Sequence, residues 1–327
     1  MKLKIDKIAT KKNLLAFSGG VDSSALFFLL LENDIPFDLA IVNYNLRKQS
    51  KLEVEYAKHL AKKYNKKIFI KELQPLSSSN FEKKARDIRY KFFEELIEKN
   101  SYETLIMAHQ LNDKLEWFFM QLSRGAGLLE LISFEQITKK ENYQIFRPLL
   151  DITKKELKDY LDQNSIKYFI DETNFDEKYK RNYFRKNFSD RFLDEFKQGV
   201  KKSFSYLKQD VDSLGIQTTA FFKEKDLEVF KNQNDDNLNI RNIDLSIKRR
   251  GFVLTKAQRD EILKQKEIVI CHKISISITD NYIFICPYEK IIMDKKFKER
   301  CRSKKIPKNI RAYILKEKIE KIFTLMS

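Results

Sequence analysis

The chain has 327 residues, 64 Lys and Arg against 47 Asp and Glu, a net charge of +17 and 42% hydrophobic residues. That apolar content suffices for two buried cores, while no apolar run approaches the roughly eighteen residues a membrane-spanning helix needs. The basic start Met1-Lys2-Leu3-Lys4 precedes no apolar signal segment, and Cys271, Cys286 and Cys301 form no C-x-x-C pair, which together predict a cytoplasmic protein without disulfides, structural zinc or membrane attachment.

In chain order, Asn13-Leu14-Leu15-Ala16-Phe17 reads as a short buried strand and the apolar run 25–31 as a buried helix. Between them stands Ser18-Gly19-Gly20-Val21-Asp22-Ser23-Ser24, where two of the chain's seven glycines are adjacent. A strand, a glycine turn and a helix point backbone N–H groups and the positive helix end at a phosphate. The glycines permit close backbone approach, and the serine hydroxyls add donors. The competing reading is an ordinary turn with Ser and Asp as helix caps. However, the five fixed positions of S-G-G-x-D-S arise by accident in roughly one chain per few thousand of this length. The phosphate reading is preferred. No G-x-x-x-x-G-K-[ST] loop occurs, so this is not a Walker A site.

Strands are predicted over 37–43, 67–73 and 103–108, separated by helices over 50–64 and about 80–100, with further helices over about 112–123 and 151–164. This alternation predicts α/β architecture with a parallel sheet, whose ligands gather at the strands' carboxyl ends, near Ser18, Asn43 and His109. A long charged helix over 186–212 is predicted to link this domain to a second. There, 232–237 reads as an exposed polar loop, and 273–287 as a β-hairpin turning at Asp280-Asn281.

His109, Asp113 and Glu116 are spaced i, i+4, i+7 and would share one helix face, leaving Leu115, Phe118, Phe119 and Leu122 for the core. A solvated acidic first turn, favoured by the helix dipole, is the plainer alternative. Arg124, beside Gly125 and Gly127, reads either as an anion clamp or as part of a glycine C-cap. Charge is uneven: residues 1–150 carry 25 basic and 19 acidic groups (+6), 151–246 carry 18 and 19 (−1), and 247–327 carry 21 and 9 (+12). Such a concentrated surplus predicts a polyanion partner, with nucleic acid favoured over a membrane surface.

The loop resembles the PP-loop of the N-type ATP pyrophosphatases. With VNYNLRKQS, EKKARDIRYKFF, AHQLNDKLEWFFMQLSRGAGL, RPLL and DETNFDEKYKRNYFRKNF in order, residues of about 10–195 are similar to the bacterial tRNA(Ile)-lysidine synthetases. The resemblance implies a Rossmann-like PP-loop catalytic domain over 1–195, then a linker helix and a smaller α+β tRNA-binding domain over 196–327. It implies ATP and Mg²⁺, free L-lysine and the CAU-anticodon isoleucine tRNA as partners, and leaves homodimerisation open. AMP would be placed on the 2-oxo oxygen of the wobble cytidine and displaced by the lysine ε-amine. Ser18, Gly19, Gly20, Val21, Asp22 and Ser23 would hold ATP, with Asp22 as the Mg²⁺ contact. His109, Asp113 and Glu116 would hold lysine or support the chemistry. Arg86, Arg89 and Arg124, together with Asp171, Thr173, Asn174, Arg181, Asn182 and Arg185, match the family's substrate and tRNA stretches. The chain departs from the family pattern at Asn43-Tyr44-Asn45, where His-Gly is usual, and at Trp117. A thiolase of the same superfamily would need reactive cysteines near the loop, whereas all three cysteines here follow residue 270. GMP and NAD synthetases would leave the basic C-terminal region without a role. A non-catalytic RNA-binding protein with a relic loop is the remaining alternative.

Overall fold

The computed structural model describes residues 3, 5, 8, 10–45, 49–73, 81–170, 178, 180–214 and 219–325. Two compact units divide the chain, Met1–Val211 and Asp212–Ser327. The first contains β1 (Asn13–Ala16), α1 (Val21–Glu32), β2 (Phe37–Asn43), α2 (Gln49–Lys63), β3 (Ile68–Glu72), α3 (Phe81–Asn100) and β4 (Thr104–Ile106). It continues through α4 (Leu111–Leu122), α5 (Leu128–Leu131), β5 (Ile137–Lys139), β6 (Gln144–Phe146), α6 (Lys154–Gln163), α7 (Lys180–Phe184) and α8 (Asp190–Ser213).

Its six strands run in the order β3-β2-β1-β4-β6-β5 and are parallel except for β5, which pairs antiparallel with β6. Strands buried on both faces need apolar residues on both, and β1 supplies them in alternation. Leu14 packs with Phe92, Phe93, Leu96 and Ile97 of α3, whereas Leu15 joins the α1, α2 and α6 side with Leu26, Leu60 and Leu157. The direction of strand succession reverses at β1, which has β2 on one side and β4 on the other. That reversal opens the crevice in which open α/β sheets bind ligands. The β5–β6 hairpin escaped the sequence reading because each strand is only three residues long.

The long helix predicted over 186–212 is α8, preceded by a π-helical turn over Arg185–Ser189. Its Leu193, Val200 and Phe204 pack against Leu111 and Leu115 of α4. It therefore belongs to the first unit, and the division falls after Val211 rather than at 195/196.

The second unit contains β7 (Phe222–Glu224), β8 (Leu227–Lys231), α9 (Asp236–Arg249), α10 (Lys256–Gln265), β9 (Glu267–Ile270), β10 (Ile274–Ile278), β11 (Tyr282–Pro287), α11 (Lys295–Ser303), α12 (Lys308–Glu317) and α13 (Ile322–Leu325). The predicted hairpin is β10–β11, at the heart of an antiparallel sheet ordered β7-β8-β11-β10-β9. Ile283 and Ile285 face α9 and α10, while Phe284 and Cys286 face α12, so each side of the sheet buries its own cluster. The expected polar loop over 232–237 ends sooner, because the Asp235 carboxylate caps α9 by accepting from Leu238 N–H at 2.9 Å. Among the described residues no helix is long and apolar enough to cross a membrane.

Candidate active site

The glycine turn follows β1 directly. Gly19 has φ +76°, a conformation that costs an L side chain about 1–2 kcal/mol, and an added Cβ would also lie 3.4 Å from the Phe169 ring. The Gly19 carbonyl accepts from Phe169 N–H at 2.9 Å, which pins the turn. Gly20 is extended, and no side chain caps α1. The first N–H groups of that helix therefore have no side-chain acceptor, and Asp22 is the one acidic residue in its first turn. The Ser18 and Ser23 hydroxyls lie 3.0 Å apart, and Ser18 N–H donates to Ser23 Oγ at 3.2 Å, so the loop is rigid.

The loop lines a cavity of about 670 Å³ together with Tyr44, Arg86, Arg89, His109, Asp113, Lys154, Phe169, Arg181, Asn182 and Arg185. Most of the predicted site residues thus converge on one space. Three buried polar atoms on its walls, Asp22 Oδ1, Arg89 Nε and His109 Nδ1, have no hydrogen-bond partner among the described residues. Buried polar atoms are normally paired. Three such atoms on one cavity are groups that a polar ligand would satisfy.

His109 precedes α4, and Gln110 caps that helix. Asp113 closes the capping box, its Oδ2 accepting from Gln110 N–H at 3.0 Å. The solvated-acid alternative fails, because Asp113 and Glu116 are buried, Glu116 almost completely. Arg181 Nε donates to Glu116 at 2.8 Å and its Nη2 to Asp113, while Arg185 Nε donates to Glu116 at 2.6 Å. Two buried carboxylates are thus neutralised by two guanidinium groups that lie 65 to 69 residues further along the chain. Asn112 anchors the base of this cluster, donating to Asp190 at 2.6 Å and accepting from Lys154 N–H at 3.0 Å.

Burial favours the uncharged form of each group here. Burial, the Asp113 charge and the Glu116 charge push Asp22 up to about 7 against the opposing Lys154 and Arg185. Burial likewise raises Glu116 despite its two arginines. For Asp113 burial is outweighed by Arg181, His109 and the Gln110 N–H, and its carboxyl lies below the usual range. Burial, with Arg147, Arg181 and Arg86, drives His109 down to about 3 against the Asp113 charge, so its ring is neutral at pH 7. The neutral ring lines the cavity with its Nδ1 unpaired.

Some expectations fall elsewhere. Arg124 is exposed and does not line the cavity; Gly125, at φ +69°, ends α4 instead, with Gly125 N–H donating to the Leu122 carbonyl at 3.1 Å. The C-cap reading of that turn holds. Leu122 is 53% exposed rather than in the core. Asp171, Thr173 and Asn174 lie outside the described residues. Lys154 and Lys158, which also line the cavity, were missed in the sequence. A signal existed: Lys154 and Lys155 open α6, where cations oppose the helix dipole.

A PP-loop domain model matches residues 2–192. A tRNA(Ile)-lysidine synthase from Campylobacter jejuni strain RM1221 is 47% identical over 311 residues, 94% of each chain. The chain belongs to the tRNA(Ile)-lysidine synthase family. Enzymes of the same name from Wolinella succinogenes and Helicobacter pylori 26695 are 43% and 40% identical, covering 94% and 97% of this chain and 94% and 93% of theirs. Among solved structures, the U34-tRNA thiolase NcsA from Methanococcus maripaludis aligns with a TM-score of 0.52 at 17% identity, over 63% of this chain and 74% of that one. The likeness to NcsA is one of fold.

Proposed function

We propose that this chain joins free lysine to C2 of the wobble cytidine of the CAU-anticodon isoleucine tRNA at the expense of ATP. In the first step the cytidine 2-oxo oxygen attacks the α-phosphorus of ATP and pyrophosphate leaves. In the second, the lysine ε-amine attacks C2, AMP leaves with the oxygen, and the amine gives up a proton. The observation that carries this reading is the cavity shared by the phosphate-type loop and Asp113, with Arg181 and Arg185 on its wall, Glu116 buried behind them, and orphaned polar atoms around it.

Within this reading the α1 N-terminus and the Ser18 and Ser23 hydroxyls hold the departing pyrophosphate, and Lys154 adds positive charge beside it. The residues present fit Mg²⁺. Asp22 Oδ1 is an unpaired carboxylate oxygen, and this metal takes one or two carboxylates alongside substrate phosphates rather than a cage of side chains. When bound, Mg²⁺ supplies charge neutralisation on the phosphates. Lysine brings an ammonium of pKa near 10.4, whose deprotonation at pH 7 costs about 4–5 kcal/mol. Asp113 and Glu116 hold that ammonium in place of a guanidinium. Arg181, 45% exposed against 15% for Arg185, is the one that gives way.

Thiolase chemistry is disfavoured. All three cysteines follow residue 270, and none lines the cavity that holds the phosphate-type loop. Incubation with labelled lysine, ATP and total tRNA tests the proposal: label is expected in tRNA, with AMP and pyrophosphate released in equal amounts. Absence of any tRNA-dependent pyrophosphate release would favour a non-catalytic RNA-binding role.

We assign tRNA-phosphate binding to the basic second unit. Changing Lys304, Lys305 and Lys308 together to Gln is expected to reduce the slope of log affinity against log salt by about 2–3, at roughly 0.7–0.9 per lost phosphate contact. A folded triple variant with an unchanged slope would remove that cluster from the RNA interface.

A further inference from the structure

Outside the cavity the first unit carries an aromatic row on its surface. Tyr183, Phe188, Phe192 and Phe196 are 46%, 41%, 43% and 53% exposed, although Phe is ordinarily interior. The rings are contiguous through Phe119: Tyr183–Phe188 and Phe119–Phe188 centroids are both 5.9 Å apart, Phe119–Phe192 6.1 Å and Phe192–Phe196 5.0 Å. Positions 188 and 192 share a helix face by their i, i+4 spacing, and Phe196, at a kink in α8 (φ −114°), continues the row through its contact with Phe192. Tyr183 stands five residues before Phe188, which an α-helix would rotate out of the row. The π-helical turn over Arg185–Ser189 widens the helix by the amount that returns Tyr183 to it.

The row starts at the cavity wall, since Arg181 and Asn182 of α7, Arg185 and Lys186 of the turn and Asp190 of α8 all line that cavity. Residues 178–197 hold seven Lys and Arg against three Asp and Glu. Exposed aromatic faces interleaved with cations form the surface on which single-stranded bases stack. A base that leaves its stack to enter a cavity strands its neighbours, which then need a new stacking partner. We propose that the row from Tyr183 to Phe196 is a stacking platform for the unpaired RNA bases flanking the one that enters the cavity. The inference rests on the tRNA-modifying reading above. A second copy of the chain fits the row less well, because two copies of the same cation-rich segment would repel each other.

The full-length protein tests this with two double variants, Phe188→Ala with Phe192→Ala, and Phe188→Leu with Phe192→Leu. The leucines keep apolar bulk without an aromatic face, and Phe119 is left intact because it also packs the core. Binding is measured for an RNA stem–loop carrying the CAU anticodon and for the same RNA with abasic sites on both sides of the target cytidine. Both variants are expected to bind the intact RNA about 10- to 100-fold more weakly, the loss of one or two base–aromatic stacks. The native protein should bind the abasic RNA weakly, and the variants no more weakly still. Intact-RNA binding at the native level would overturn the platform, as would equal loss on both RNAs. A native dimer that the leucine variant converts to monomers in sedimentation would give the row to a second copy. Pyrophosphate release by the native enzyme with tRNA separates the two readings. If it is absent the functional assignment fails; if it is normal while the variants bind as the native protein does, only the platform fails.

Discussion

Asp22→Asn is expected to lower tRNA-dependent pyrophosphate release by about 10²- to 10³-fold, the size of effect seen when one preorganised electrostatic contact is lost. RNA affinity should stay near the native value, since the carboxylate faces the phosphate loop and the Asp113 cluster. The same variant should be more stable, and the pH dependence identifies why. Asp22 titrates near 7 in the folded chain against 3.8 for the ordinary group, because burial and the neighbouring acids disfavour its charge. Between those values the native state keeps a proton that the unfolded chain has lost. Stability therefore falls as pH rises through that window, and the deficit is complete above it. Asparagine carries no charge to desolvate. In metal-free buffer at pH 8 the variant should melt roughly 5 °C higher than the native protein, and the gain should vanish by about pH 4. A variant that loses both activity and stability at pH 8 would identify Asp22 as a structural residue rather than one held under strain for function.

The first unit was legible because its signals are concentrated. Strand β2 was predicted at its observed limits, Phe37–Asn43, since its centre, Leu39-Ala40-Ile41-Val42, is the unbroken apolar run of a parallel strand buried on both faces. The phosphate loop stood out because glycine is otherwise so rare in the chain. The second unit was mostly hidden. Its edge strands β7 and β9 have three and four residues, and α9 carries Asn237, Asn239, Asn242 and Asp244, residue types that weaken any helical signal. What makes α9 a helix is burial of Ile240, Ile243 and Ile247 against the sheet, a tertiary effect absent from local pattern. The site shows the same division. The i, i+4, i+7 spacing brought His109, Asp113 and Glu116 to notice, but no periodicity links them to Arg181 and Arg185, because α7 reaches them only through the fold. The sequence therefore placed two acids on one helix face without partners, whereas the structure pairs both with arginines.

That compensation decides what Glu116→Gln should do. The native cluster balances Asp113 and Glu116 against Arg181 and Arg185, and Glu116 accepts from both arginines. Replacing its charge leaves two guanidinium groups facing one carboxylate, so the pocket gains a net positive charge in a poorly solvated place. A cationic ligand is then repelled, while the triphosphate in the adjoining loop is not. Lysine should lose a charge-assisted contact of about 1.5–3 kcal/mol, which raises its KM roughly 10- to 100-fold. The amide keeps the size of the side chain and one acceptor oxygen for Arg185, so the wall should remain folded. Pyrophosphate release measured with tRNA and ATP but no lysine should persist near the native rate. Asp113→Asn should act in the same direction, with an added loss of stability because the Asp113 carboxylate also closes the α4 capping box. Should the lysine-free first step disappear as completely as lysidine formation in Glu116→Gln, the acids would instead serve adenylation. They would then be holding Arg181 and Arg185 toward the ATP phosphates, and the lysine ammonium would have to be sought elsewhere on the cavity wall.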